Sequence, residues 1–233
     1  MDARVDLRPL ASREIVRRVL AAHALFKDAA AILEARARDE EAAGALARAY
    51  DEGRAPAWLT AHLLGCVRAG YDTARAILLR GERSLSESYA GVAMARIDPT
   101  RARDDLLVIV RDAPQLRVRE GAAYGLGALD ASVVAVPAVV DAARRGLIRC
   151  TCAAYVVQPA CASEELIAWL SSDDVFLRRL AVEVVFFRSA RETGIGAPPL
   201  ASAARTALAS GAVRLAPSTR RMLEERIARV LDP

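Results

Sequence analysis

Apolar residues recur along this chain at helical spacing, and one arrangement returns five times. Set on a common first column, the segments are PAWLTAHLLGCV from Pro56, LSESYAGVAMAR from Leu85, VREGAAYGLGAL from Val118, IRCTCAAYVVQP from Ile148 and LRRLAVEVVFFR from Leu177. Their starts lie 29, 33, 30 and 29 residues apart. The fourth column after the start holds Thr60, Tyr89, Ala122, Cys152 and Ala181. The fifth holds Ala61, Ala90, Ala123, Ala153 and Val182, and the eighth Leu64, Ala93, Leu126, Val156 and Val185. Together with the start, these positions lie on one face of a helix.

A second set of helices is predicted between them, over YDTARAILLRGE, RARDDLLVIVRDA, SVVAVPAVVDAARRG and SEELIAWLSSDD. Start signals are Asp72, Asp98-Pro99-Thr100, Ser132 and Ser163; stop signals are Gly81, Gly146 and Ser171-Ser172. Pro137 falls within a predicted helix, where it either kinks it or marks its first turn. Residues 10–52 read as two or three helices broken near Asp28 and Asp39. Gly194 to Pro199 reads as a loop, followed by a last pair over Leu200–Ser210 and Ser218–Leu231. The plan is a helix pair repeated about every 30 residues, with atypical ends that cap the stack. The segment from Val118 carries Gly121, Gly125 and Gly127, each costing ~1 kcal/mol against alanine in a helix interior. Close contact with neighbouring helices is expected to offset that cost.

The opening Val118-Arg119-Glu120-Gly121-Ala122-Ala123-Tyr124-Gly125-Leu126-Gly127 resembles the second helix of a HEAT repeat. Ile148-Arg149 and Leu177-Arg178 keep the opening pair, while Ala57 and Ser86 depart from it. The resemblance covers roughly Asp51 to Arg191. It implies an all-α, right-handed α-solenoid of about six to seven HEAT-like helix-pair repeats, with residues 1–233 as a single domain. Residues 1–52 would be N-terminal capping helices, 53–191 the best-matched repeats and 198–233 a C-terminal capping pair. The irregular period and the missing Trp-Leu-Gly-Tyr pattern disfavour tetratricopeptide units. The resemblance also implies a structural role for Arg119, Arg149 and Arg178: a ladder pairing with Asp112, Asp141 and Asp173 or Asp174 at the turns.

Composition agrees with helices and narrows the chemistry. Alanine makes up about a fifth of the 233 residues and aromatics 5%, a mix poor in strand formers. A net charge of +4 from 33 basic and 29 acidic residues makes a mixed surface rather than a polyanion-binding one. The first twenty residues are charged throughout and lack the apolar core of a secretory signal. No stretch reaches the ~18 apolar residues of a membrane helix. Four irregularly spaced cysteines suit a reduced, cytoplasmic protein.

No residue pattern for catalysis is present. Cys150 and Cys152 would point in nearly opposite directions on a helix, and Cys152 sits in the buried column, so no metal site is expected. Gly-x-Ser-x-Gly and His-Glu-x-x-His are missing, and His23 and His62 are the only histidines. Glu164-Glu165 and Asp173-Asp174 sit at helix starts, where negative charge favours the dipole. No cofactor is expected.

What remains is the second and sixth columns, off the buried face. They contain Trp58 and His62, Glu87 and Gly91, Glu120 and Tyr124, Cys150 and Ala154, Arg179 and Glu183. In HEAT solenoids this stripe lines the concave surface. Three glutamates against one arginine disfavour nucleic acid, while Trp, Tyr and scattered charge suit a protein or peptide. The expected function is a non-catalytic interaction scaffold, with Trp58, His62, Glu87, Glu120, Tyr124, Arg179 and Glu183 as candidate contacts. An alternative follows from Trp169 to Ala181, which resembles a hairpin of DNA-alkylation-repeat glycosylases and implies that Arg178 or Arg179 faces a DNA backbone. That family's Trp-rich stretch with a catalytic aspartate has no match here; Asp141 stands nearest, without aromatic neighbours. A lyase- or chaperone-like HEAT protein is a further alternative.

Overall fold

A computed structural model describes residues 6–82, 85–129, 135–189, 198–211 and 213–232. Among them are fourteen α-helices and no strand. The first eight are α1 (Ser12–Ala21), α2 (Phe26–Glu34), α3 (Glu40–Asp51), α4 (Ala57–Val67), α5 (Tyr71–Arg80), α6 (Ser86–Ile97), α7 (Pro99–Asp112) and α8 (Leu116–Ala128). The others are α9 (Ala135–Arg144), α10 (Cys150–Val157), α11 (Ser163–Ser171), α12 (Val175–Ser189), α13 (Pro198–Ala209) and α14 (Pro217–Leu231). The chain divides into two compact units, Met1–Asp130 and Ala131–Pro233.

Local chemistry places several helix ends. Asp39 accepts from the Ala42 N–H at 2.9 Å and opens α3; Asp98 accepts from the Arg101 N–H at 3.0 Å and opens α7, with Pro99 in its first turn. α5 ends on Gly81 in the left-handed region, at φ 61°. Pro137 lies in the first described turn of α9, where its missing N–H costs little. Some expectations are corrected. The early break falls at Ala22 to Leu25, while Asp28 lies in the first turn of α2. α5 begins at Tyr71 behind Gly70 and α11 at Ser163 behind Ala162, so Asp72 and Ser163 are first-turn residues and not the caps. Ser132 and residues 194–197 of the expected loop lie outside the described residues, while Pro198 and Pro199, expected in that loop, open α13.

In the first unit the even-numbered helices form a row: α2 packs on α4, α4 on α6 and α6 on α8. The odd helices lie behind them, α3 against α4, α5 against α4 and α6, and α7 against α6 and α8. Leu59, Leu63, Leu64, Met94 and Leu126 from the row and Ile77, Leu78 and Leu106 from behind it are fully buried. The second unit repeats the scheme, with α10 on α12, α12 on α14, and α11 against α12 and α13. Arg188 of α12 secures the end of α10 by donating to the carbonyls of Gln158, at 2.9 Å, and Cys161.

Two of the three glycines of α8, Gly121 and Gly125, are explained by α6, while Gly127 is exposed. A Cβ on Gly121 would stand 2.6 Å from the Glu87 Cβ and 2.7 Å from the Glu87 carbonyl carbon. A Cβ on Gly125 would stand 2.5 Å from the Gly91 carbonyl oxygen and 2.7 Å from a Leu106 methyl. Reciprocally, a Cβ on Gly91 would strike the Gly121 carbonyl oxygen. The two backbones therefore touch where side chains are absent, and dispersion across that contact offsets the low helix propensity of glycine. Between α4 and α6 the approach is looser: a Cβ on Gly65 would lie 3.3 Å from the Ala93 Cα.

Candidate functional site

The row of even helices in the first unit carries a closed circuit of half-buried rings. Phe26 of α2 meets Trp58 of α4 edge-on at 5.6 Å and His62 of α4 at 5.3 Å. Tyr89 of α6 meets His62 edge-on at 5.3 Å and Trp58 at 6.5 Å. Each helix supplies rings because Trp58 and His62 stand four apart on one face, while Phe26 and Tyr89 flank them. Such edge-to-face pairs add ~0.5–1.5 kcal/mol beyond the area they bury.

An ionic edge lies next to the rings. Arg96 of α6 pairs with Glu34 of α2 at 2.6 Å, and the Cys66 thiol of α4 lies 3.7 Å from the same carboxylate. Burial, chiefly, and the Arg96 charge hold His62 below its ordinary value, so the imidazole is favoured neutral. Burial together with Glu34 pushes the Cys66 thiol up to about 12. Cys66 is thus no thiolate nucleophile at neutral pH. Cys150 is held at about 12 by burial and the neighbouring Glu183 carboxylate.

Not every predicted contact residue reaches this surface. Trp58, His62 and Tyr124 are half-buried and Arg179 is exposed. Glu87, Glu120 and Glu183, expected on a solvated stripe, are buried at 3%, 6% and 6% exposure. For Glu87 the cause is the close approach of α8, which sets Gly121 against its backbone. Its Oε1 has no hydrogen-bond partner and faces the Arg117 guanidinium at 3.7 Å. Burial pushes the Glu87 carboxyl above its ordinary value, partly offset by Arg117. Glu183, in the second unit, accepts from the Arg179 Nε at 3.1 Å.

Arginine serves the turns of the expected ladder in several ways. Arg119 donates to the carbonyls of Ala113 and Pro114, at 2.8 and 3.2 Å, and so serves the turn through its backbone. Asp112 is engaged by Arg111 at 2.7 Å, Asp141 by Arg145 at 3.6 Å and Asp174 by Arg144 at 2.6 Å. Arg149 is exposed, and the Arg178 Nε is buried without a hydrogen-bond partner. Arginine does link successive odd helices, over aromatic faces: Arg80 lies 4.9 Å from the Tyr50 ring centroid and Arg101 4.1 Å from that of Tyr71.

Phe26, Tyr89, Glu34 and Arg96 were not singled out by sequence. Tyr89 did leave a signal, as the one aromatic in a column otherwise filled by small residues. Among the described residues no group of three His, Cys, Asp or Glu side chains is placed to hold a metal ion, and no helix is long and apolar enough to cross a membrane. The chain matches no family model and no curated protein.

Proposed function

We propose that this chain is a non-catalytic interaction scaffold, a HEAT-like right-handed α-solenoid of about six to seven helix pairs, that binds a protein or peptide on the face of α2, α4 and α6. The observation that carries this reading is the half-exposed circuit of Phe26, Trp58, His62 and Tyr89 across three successive helices. Aromatic side chains in rigid settings dominate interface energetics, and Trp and Tyr are the commonest hot spots together with Arg. Arg96 and Glu34 supply a polar rim beside them. The rim is charge-balanced, which favours a polypeptide over the phosphate backbone of a nucleic acid. Four free thiols suit action in a reducing cytoplasm.

Selection from a displayed random-peptide library tests the reading. Peptides enriched on the wild type should bind Trp58→Ala about thirty-fold more weakly, the loss typical of a hot spot, with the helical circular dichroism of the variant unchanged. Enriched peptides that bind Trp58→Ala and Tyr89→Ala as well as the wild type would refute it.

A further inference from the structure

The second unit carries an aromatic face of its own. Tyr155 of α10 meets Phe187 of α12 edge-on at 5.6 Å, and Phe187 meets Phe186 at 5.7 Å. Tyr155 is exposed at 44%, and both phenylalanines are half-buried. Their spacing explains the shared face: Thr151 and Tyr155 stand four apart on α10, and Arg179, Glu183, Phe186 and Phe187 follow at helical spacing on α12. The two phenylalanines also line a cavity of about 240 Å³, together with Leu215, Ala216 and Thr219 at the start of α14. That volume is below the ~300–1,000 Å³ of drug-sized sites, which suits a single apolar side chain.

The charge left on this face is positive. Arg226 of α14 stands with its Cζ 5.5 Å over the Phe186 ring and donates from Nη1 to the Ser189 hydroxyl at 2.8 Å, so it is held in place without a carboxylate. Arg214 lines the cavity and is exposed. Neither makes an ion pair among the described residues, whereas Arg220 and Arg221 of α14 pair with Glu224 and Glu225. Glu183 is the one carboxylate of the cavity lining; it is 6% exposed and already taken by Arg179 at 3.1 Å. Two uncompensated cations therefore flank an apolar surface.

We propose that the face of α10, α12 and α14 binds an acidic peptide segment. A bulky apolar side chain enters the cavity against Phe186 and Leu215, and neighbouring carboxylates pair with Arg214 and Arg226. Aromatic residues and arginine are enriched where interfaces hold most of their binding energy. Arg–carboxylate pairs add direction to that contact, and complementary charge selects the partner. A nucleic acid would bring phosphates to the arginines but no apolar side chain to the cavity, and two free cations neutralise few phosphates. The proposal rests on residues of the second unit alone and is independent of the ring circuit of the first.

The test titrates two end-blocked pentapeptides into the full chain and follows backbone amide resonances. One has phenylalanine between two pairs of glutamates; the other has glutamines in their place. The glutamate peptide should shift Phe187 and Thr219, and the glutamine peptide should bind about tenfold more weakly. Arg214→Gln, a change at an exposed side chain, should remove most of that difference with helical circular dichroism unchanged. Peptides of this class should keep their binding in Trp58→Ala and lose most of it in Arg214→Gln, which sorts them from ligands of the ring circuit in a library selection. Equal binding of the two peptides, an undiminished preference in both Arg214→Gln and Arg226→Gln, or shifts confined to the first unit would overturn the proposal. Tighter binding of oligothymidylate than of the glutamate peptide would overturn it as well, in favour of a nucleic acid.

Discussion

The two units stack similar helices by opposite means. α6 and α8 touch backbone to backbone at Gly91, Gly121 and Gly125. α10 and α12 also pack on each other but contain no glycine; their matching columns hold Cys152, Ala153 and Val156 against Ala181, Val182 and Val185, all buried. One contact works by leaving side chains out, the other by filling the gap with them. The first has a side effect: it draws Glu87 inward and leaves its carboxylate short of a partner. Helix pairs in the same columns can thus bury different neighbours.

Each unit holds one tryptophan, Trp58 and Trp169, so denaturant unfolding can be followed for each separately. The largest effect should come from Gly125→Ala, whose new methyl meets the Gly91 carbonyl and Leu106. Overpacking against backbone should cost ~3 kcal/mol, seen by Trp58 in a Trp169→Phe background. Val185→Ala fails in the opposite sense, by opening a cavity at a fully buried site, and should cost ~2 kcal/mol in the signal of Trp169. Ala153→Gly should cost a little less, about 1.8 kcal/mol, from ~1 of propensity and ~0.8 of one lost methyl. Equal losses for Gly125→Ala and Ala153→Gly would contradict the difference drawn between the two contacts.

Two smaller effects depend on pH. The folded value of His62 is lowered, so protonation favours the unfolded chain. The stability it contributes is present above its unfolded value of about 6.5 and is lost as pH falls through the folded value. His62→Phe should flatten that acid limb in the Trp58 signal; an unchanged limb would count against the assigned environment. Glu87 runs the other way: its folded value is raised, so its contribution is present below the unfolded value of about 4.3 and is lost as pH rises through the folded one. Glu87→Gln should therefore stabilise the first unit slightly at neutral pH, with the gain vanishing in acid.

The helix pairs were legible because a face of small and apolar residues recurs at constant columns, and α4, α6, α8, α10 and α12 fall within two residues of those segments. The break at Ala22 to Leu25 was not, since Ala-Ala-His-Ala-Leu holds no cap, glycine or proline. Asp28 was read as a breaker when its charge belongs to the first turn of α2. At the candidate site, Trp58 and His62 stood out by periodicity. Phe26 did not, because it precedes the aligned segments. The burial of Glu87 was hidden because helical phase gives the direction of a side chain but not how near the next backbone comes. That distance is set by Gly91 and Gly121 together, on two helices 30 residues apart.

The face of α2, α4 and α6 can be tested with the two indole N–H resonances of the chain. A peptide selected on the wild type should shift the Trp58 signal on titration and leave Trp169, half-buried in α11, in place. A Trp58 signal unmoved at saturating peptide would contradict the assignment of this face as the binding surface.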